Sequence, residues 1–158
     1  QQQVMAGDYP TVSNTEFCSV ASSTEFCSTA SNTGNCSVAN NMGTCSVASN
    51  TGNHSVANNT GFRSAAGITG FRSAVSNAGD YSLASSIGNR STAEVSGNQS
   101  VALAMGRDGK VRGAKGCWIV CAEWDDDGIK DVQCACVDGE TIKADVWYML
   151  SEGKFVEV

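Results

Sequence analysis

NTEFCSVAS (residues 14–22) is followed without a break by STEFCSTAS (23–31), NTGNCSVAN (32–40), NMGTCSVAS (41–49), NTGNHSVAN (50–58), NTGFRSAAG (59–67), ITGFRSAVS (68–76), NAGDYSLAS (77–85), SIGNRSTAE (86–94) and VSGNQSVAL (95–103). These are copies of one nine-residue unit. Serine returns at Ser19, Ser28, Ser37, Ser46, Ser55, Ser64, Ser73, Ser82, Ser91 and Ser100. Two residues later comes a second small residue, alanine from Ala21 to Ala102 except for Val75, and glycine recurs from Gly34 to Gly97. Upstream, MAGDYPTVS (5–13) fits the frame with Pro10 in the serine slot, and AMGRDGKVR (104–112) is a decayed last copy.

A fixed period in this range is the signature of a repeat architecture. Residues at i and i+2 of a strand point to the same side, so Ser and Ala suit a narrow interior. Glycine suits a turn, where φ is positive or backbones approach closely. One unit supplies about five strand residues and a four-residue turn, too little to close a coil. Two units, about 18 residues, make a two-sided coil, and about six such coils at ~4.8 Å make a rod of roughly 25–30 Å. The expectation is an all-β chain: a β-solenoid or β-roll of nonapeptides over residues 5–112, then a small antiparallel β capping domain over 113–158. Identity held slot by slot argues against a disordered polar tract, which keeps composition without register.

Composition excludes several functions. Net charge is −6 over 158 residues, which gives no basic face for nucleic acid. No apolar run approaches the ~18 residues of a membrane span. The opening QQQVMAGDYP has neither the basic nor the apolar region of a signal peptide. His54 is the one histidine and lies in a repeat slot; no nucleophile–base constellation can be assembled around it. The reading is non-enzymatic, with no cofactor.

The slot before the serine varies: Cys18, Cys27, Cys36, Cys45, His54, Arg63, Arg72, Tyr81, Arg90, Gln99. A slot that accepts all of these faces outward. With two units per coil it forms two columns, Cys18–Cys36–His54–Arg72–Arg90 and Cys27–Cys45–Arg63–Tyr81–Gln99. His54, Arg63, Arg72, Tyr81, Arg90 and Gln99 are the candidate interaction face. Vertical neighbours ~5 Å apart fall within the Cα window of a disulfide, so Cys18 with Cys36 and Cys27 with Cys45 form a ladder of free thiols or of disulfides. Paired cysteines would indicate a secreted, surface or phage-associated protein, and free ones a cytoplasmic protein. A metal on Cys18, Cys36 and His54 is disfavoured, because stacking keeps side chains parallel whereas tetrahedral ligands converge.

Val20, Thr29, Val38, Val47, Val56, Ala65, Ala74, Leu83, Thr92 and Val101 follow the serine. If the slot faces out, it makes apolar stripes that suit association with another copy; the opposite alternation stays open. Flat repetitive faces can also bind ice. Thr15, Thr24, Thr33, Thr51, Thr60 and Thr69 recur, but Met42, Ala78, Ile87 and Ser96 interrupt them, so this slot is read as an inward corner. The near-absence of aspartate in the turns excludes the calcium-binding nonapeptide pattern.

Downstream, CWIVCAEW (117–124) and IKDVQCACV (129–137) read as strands around the turn Asp125–Gly128. TIKADVWYML (141–150) reads as strand or short helix plus strand, and FVEV (155–158) as a last strand. Cys117, Cys121, Cys134 and Cys136 suggest zinc spacing, but strand rise places the first two ~13 Å apart, so they are read as core. Trp118, Trp124 and Trp147 are read as core or docking anchors, and Asp125, Asp126 and Asp127 as an acidic hairpin tip.

The NTGxxSAA copies, with the ending VSGNQSVALAMGRDGKVRGAKGCWIVCAEWDDDGIKDVQCACVDGETIKADVWYMLSEGKFVEV (95–158), resemble a nonapeptide-repeat family of gut-type bacteria and their phages. That resemblance covers nearly the whole chain and implies no activity. Cysteine in the variable slot departs from the Tyr, Arg and Gln expected there. The S-V-A frame is also similar to the head repeats of trimeric autotransporter adhesins, which raises the prospect of a trimer. The functional expectation is a structural protein that self-assembles into a homo-oligomer, as a trimer or an end-to-end stack. Its alternative is an adhesin-like or phage-associated module that binds a surface ligand or glycan through the variable slot.

Overall fold

The computed structural model describes residues 2–5 and 9–158; residues 6–8 of the first copy lie outside the described residues. The elements in chain order are β1 (Gln2–Met5), β2 (Thr11–Asn14), β3 (Val20–Ser23), β4 (Thr29–Asn32), β5 (Val38–Asn41), β6 (Val47–Asn50), β7 (Val56–Asn59), β8 (Ala65–Ile68) and β9 (Ala74–Asn77). They continue as β10 (Leu83–Ser86), β11 (Thr92–Val95), β12 (Val101–Ala104), β13 (Lys110–Gly113), β14 (Trp118–Trp124), β15 (Ile129–Cys136), β16 (Tyr148–Ser151) and β17 (Lys154–Glu157). Odd strands β1 to β13 stack in parallel as the first sheet, and even strands β2 to β14 as the second. Partners are 18 residues apart, as in Val20↔Val38 and Thr29↔Val47. The protein is therefore an all-β solenoid with two nonapeptides per coil.

Strand alternation settles which side faces in. Ser19, Ala21 and Ser23 are buried and Val20 and Ser22 half-buried, and the pattern repeats along the rod. The small slots line the interior, and the valine slot lies on the two outer faces. Buried serines are tolerable because they bond one another. From Ser37 to Ser100 each accepts from the backbone N–H of the serine one coil earlier, for example Ser37 N–H to Ser55 Oγ at 3.1 Å and Ser64 N–H to Ser82 Oγ at 3.0 Å. Their hydroxyls also donate to carbonyls, as Ser73 does to Gly52 O at 3.2 Å. A second ladder stands at the fourth strand position. Asn59 Nδ2 donates to Ser46 O (3.0 Å) and Ala65 O (3.1 Å), while its Oδ1 accepts from Gly61 N–H (3.0 Å). The side chain thus bridges the strand, the opposite turn and its own turn.

The glycine slot has one of its two expected causes. Its glycines do not have positive φ; that conformation belongs to the variable slot two residues on, from Tyr9 (φ 59°) to Asp108 (φ 56°). The requirement for glycine is close approach. A Cβ on Gly52, Gly61, Gly70 or Gly79 would overlap the carbonyl of the glycine one coil below. The threonine slot corrects the sequence reading: Thr15, Thr24, Thr33, Thr51, Thr60 and Thr69 are all exposed. They follow a buried residue while the backbone is still in the ladder, as in Thr33 N–H to Asn14 O at 2.9 Å, so alternation turns them outward.

The C-terminal strands extend the same two sheets. β14 adds to β12 in parallel, with Val101 opposite Trp118. β15 then turns back antiparallel on β14, and β16 and β17 close the first sheet antiparallel against β13. One apolar cluster runs from Ala57 through Ile68, Val95, Val111 and Ile119 to Ile142, Tyr148 and Leu150, so residues 113–158 share the core of the coils. Cys117 and Cys121 are buried in it as expected, but Cys134 is exposed, Cys136 half-buried and Trp118 48% exposed. The register explains this: Trp118 pairs with Cys136 and Val120 with Cys134 on the outward parity of β14. Trp124 is an anchor, its Nε1 donating to Met105 O at 2.9 Å, and Trp147 lies under the Arg112 guanidinium at 4.6 Å.

Candidate functional site: edges and faces of the rod

Each coil has two turns, on opposite edges. Cys18, Cys36, His54, Arg72 and Arg90 run along one edge, and Cys27, Cys45, Arg63, Tyr81 and Gln99 along the other. All have φ between 50° and 57°, and all are exposed except Cys27, which is half-buried. The backbone holds them firmly: Cys45 N–H donates to Phe62 O at 2.8 Å and His54 N–H to Phe71 O at 2.9 Å.

The residue immediately before the variable slot completes the site, and the sequence reading missed it. Phe17, Phe26, Phe62 and Phe71 occupy it in four copies and are all exposed. On the first edge Phe71 is the centre of a group. His54 meets its ring edge-on at 6.1 Å, Arg72 lies over it at 5.2 Å and Arg90 at 6.0 Å. On the second edge Arg63 lies 5.2 Å from the Phe62 centroid, and Tyr81 meets the same ring at 5.6 Å. The side chains of Asn35, Asn53, Asp80 and Asn89 in this slot accept from the next coil, as Asn53 Oδ1 does from Phe71 N–H at 2.8 Å. The signal in the sequence was phenylalanine at Phe17, Phe26, Phe62 and Phe71 in a slot that is otherwise Asn, Asp or Thr before the decayed last copy.

The two faces differ. The outer positions of the second sheet carry no charge from Thr11 to Val120, through Thr29, Val47, Ala65, Leu83 and Val101. Leu83 (40% exposed), Ile87 (55%), Trp118 (48%) and Val132 (44%) make its C-terminal half an open apolar patch. The first sheet carries the pair Arg112–Glu94 at 2.6 Å, beside Lys110.

The four repeat cysteines form two pairs on opposite edges, all as free thiols. Half-burial first, and then the nearby Cys45 side chain, raise the Cys27 thiol above its ordinary value. Among the described residues no group of three or more His, Cys, Asp or Glu is placed to hold a metal ion, and no helix is long and apolar enough to cross a membrane. A cleft of about 340 Å³ lies beside β14 and β16, lined by Arg107, Asp108, Glu123 and Trp124 among others. Its Glu123 carboxylate is engaged by Lys130 and by the Glu152 and Gly153 N–H groups, which hold it below the ordinary carboxylate value.

The fold defines the class, a β-solenoid of nonapeptides. Comparison with protein-family models, curated proteins and solved structures gives no match.

Proposed function

We propose that the chain is a non-enzymatic recognition scaffold: the coils are the frame, and the two edges present variable side chains to a surface ligand or glycan. The observation that supports this is the conformational cost of the display. Twelve positions, Tyr9 and every ninth residue to Asp108, have left-handed backbone, a state that costs a non-glycine residue roughly 1–2 kcal/mol. Glycine or asparagine relieves that cost, yet neither stands at any of the twelve. Side chains kept in strained conformations are the pattern of functional positions. Their chemistry suits an acidic ligand, because guanidinium groups bind carboxylate or phosphate through paired hydrogen bonds and the rings offer an apolar surface.

A panel of immobilised acidic and neutral glycans tests this reading. Wild type should bind acidic members, and combined Ala replacement of Arg63, Arg72, Tyr81 and Arg90 should abolish binding with the melting temperature retained. A binding profile unchanged by those replacements would refute it.

The open patch of Leu83, Ile87, Trp118 and Val132 supports a second reading, homo-oligomerisation through the outer face of the second sheet. Uncharged, flat β faces pack on one another about 10 Å apart. Light scattering should then show multimers that Leu83→Lys with Trp118→Lys dissociates; monomers alone at high concentration would remove this reading.

A further inference from the structure

We propose that the Cys27–Cys45 and Cys18–Cys36 pairs are each a binding site for one thiophilic, two-coordinate metal ion held between neighbouring coils. In-register stacking aligns the two residues of a pair, both with left-handed backbone (φ 51° and 57° for Cys27 and Cys45; 53° and 56° for Cys18 and Cys36). Successive coils are ~4.8 Å apart, and their side chains run parallel. That geometry excludes a tetrahedral site, whose ligands must converge, and it is what a linear site requires. Two metal–sulfur bonds of about 2.3 Å each span about 4.6 Å, close to the coil spacing. A disulfide fits less well, because it draws the Cβ atoms to roughly 3.5–4.5 Å, below the spacing the ladder maintains. Soft thiolate ligands select ions of the Cu(I) type.

Two further observations point the same way. The next residue in the Cys27–Cys45 column is Arg63, whose cation favours the anionic bis-thiolate centre; His54 follows Cys36 in the other column. The pairs also lie where apolar burial is least. The cluster there is Val12 with Ala21, Ala30, Ala39 and Ala48, so a metal bridge between coils strengthens the part of the rod with the thinnest apolar core. On binding, two S–H bonds break, two metal–sulfur bonds form and two protons pass to solvent, with no change of oxidation state. Affinity therefore falls as pH is lowered.

The test is native mass spectrometry of the reduced full-length chain under anaerobic conditions, with Ag(I) as the probe and excess glutathione to strip single thiols. Two ions should remain per chain. Cys27→Ser or Cys45→Ser should each lose one, Cys18→Ser or Cys36→Ser the other, and Cys134→Ser with Cys136→Ser neither. The melting temperature should rise with Ag(I) in wild type and stay unchanged in Cys27→Ser/Cys36→Ser, whose ion-free melt reports that it folds. Complete stripping by glutathione, loss of ions with the Cys134 and Cys136 replacements, or a product two hydrogens lighter without metal would each overturn the assignment.

Discussion

From Asn14 to Asn59 the fourth strand position is Asn14, Ser23, Asn32, Asn41, Asn50 and Asn59; from Ile68 on it is Ile68, Asn77, Ser86, Val95 and Ala104. Both series are buried against the same Ser and Ala frame. In the first, the interior is a file of amides bonded to carbonyls above and below. In the second, it merges into the aliphatic core that continues to Leu150. The edges change at nearly the same point, from cysteine to His, Arg, Tyr and Gln. One backbone is thus held by hydrogen-bonded polar ladders in one half and mainly by apolar burial in the other. Besides the Ser and Ala frame, both halves share the glycine slot, filled from Gly34 on.

That common element sets the largest expected effect. Gly61→Ala drives a methyl into the Gly43 carbonyl and against Ser64 Oγ, and stacked coils cannot separate locally. The expected loss exceeds about 4 kcal/mol, seen as failure to give a cooperative thermal transition. If Gly61→Ala melts like wild type, close stacking is not what binds the halves together.

Next come one substitution from each half. Ile68→Ala removes a fully buried aliphatic side chain and should cost about 2–5 kcal/mol. Asn59→Ala leaves Ser46 O, Ala65 O and Gly61 N–H without their side-chain partner, at about 1–3 kcal/mol. Denaturant titration of both ranks the two kinds of interior, and an Asn59→Ala loss equal to or larger than that of Ile68→Ala would reverse the ranking. Ser86 sharpens the comparison from the other side. Its hydroxyl is buried without a partner, as is that of Ser23, because serine is too short to make the asparagine bridge. Ser86→Asn should restore the bridge and add about 1 kcal/mol; no gain would mean that the amide ladder depends on neighbouring asparagines.

The period, the two units per coil and the outward variable slot were legible from identity held slot by slot, but which side of the strand faces in was not, because a period of two reads the same from either face. The reason for glycine was only half legible. A turn glycine suggests positive φ, but the left-handed residue is the variable one, and close packing between coils is invisible in a single unit. Thr33 and its equivalents were misplaced because the ladder extends one residue beyond the strand. Trp118 and Cys134 were misplaced for a related reason: apolar composition indicates burial, but the register of β14 assigns them to the outer face. The Phe62 and Phe71 groups needed the stacking itself, since Phe71 meets His54 and Arg90 only through coils 18 residues apart.

The last contrast is between the coils and the segment that closes them. The buried serine and asparagine ladders of the coils bond through neutral groups, whereas the closing segment relies on carboxylates. Glu123 accepts from the Gly153 and Glu152 N–H groups and from Lys130, and Asp138 accepts from Glu140 and Ile142 N–H. These bonds hold both acids below their ordinary values of 4.5 and 3.8. A carboxylate with depressed folded pKa contributes stability that is fully present above its unfolded value and is lost as pH falls through the folded one. Below about pH 4.5, then, amide exchange should quicken in β16 and β17 while the Asn41 and Asn59 ladders stay protected. Glu123→Gln should already show the quickened exchange at neutral pH and lose part of its acid dependence. Uniform acid loosening along the whole rod would mean that the closing strands and the coils unfold as one unit, with no separate carboxylate latch.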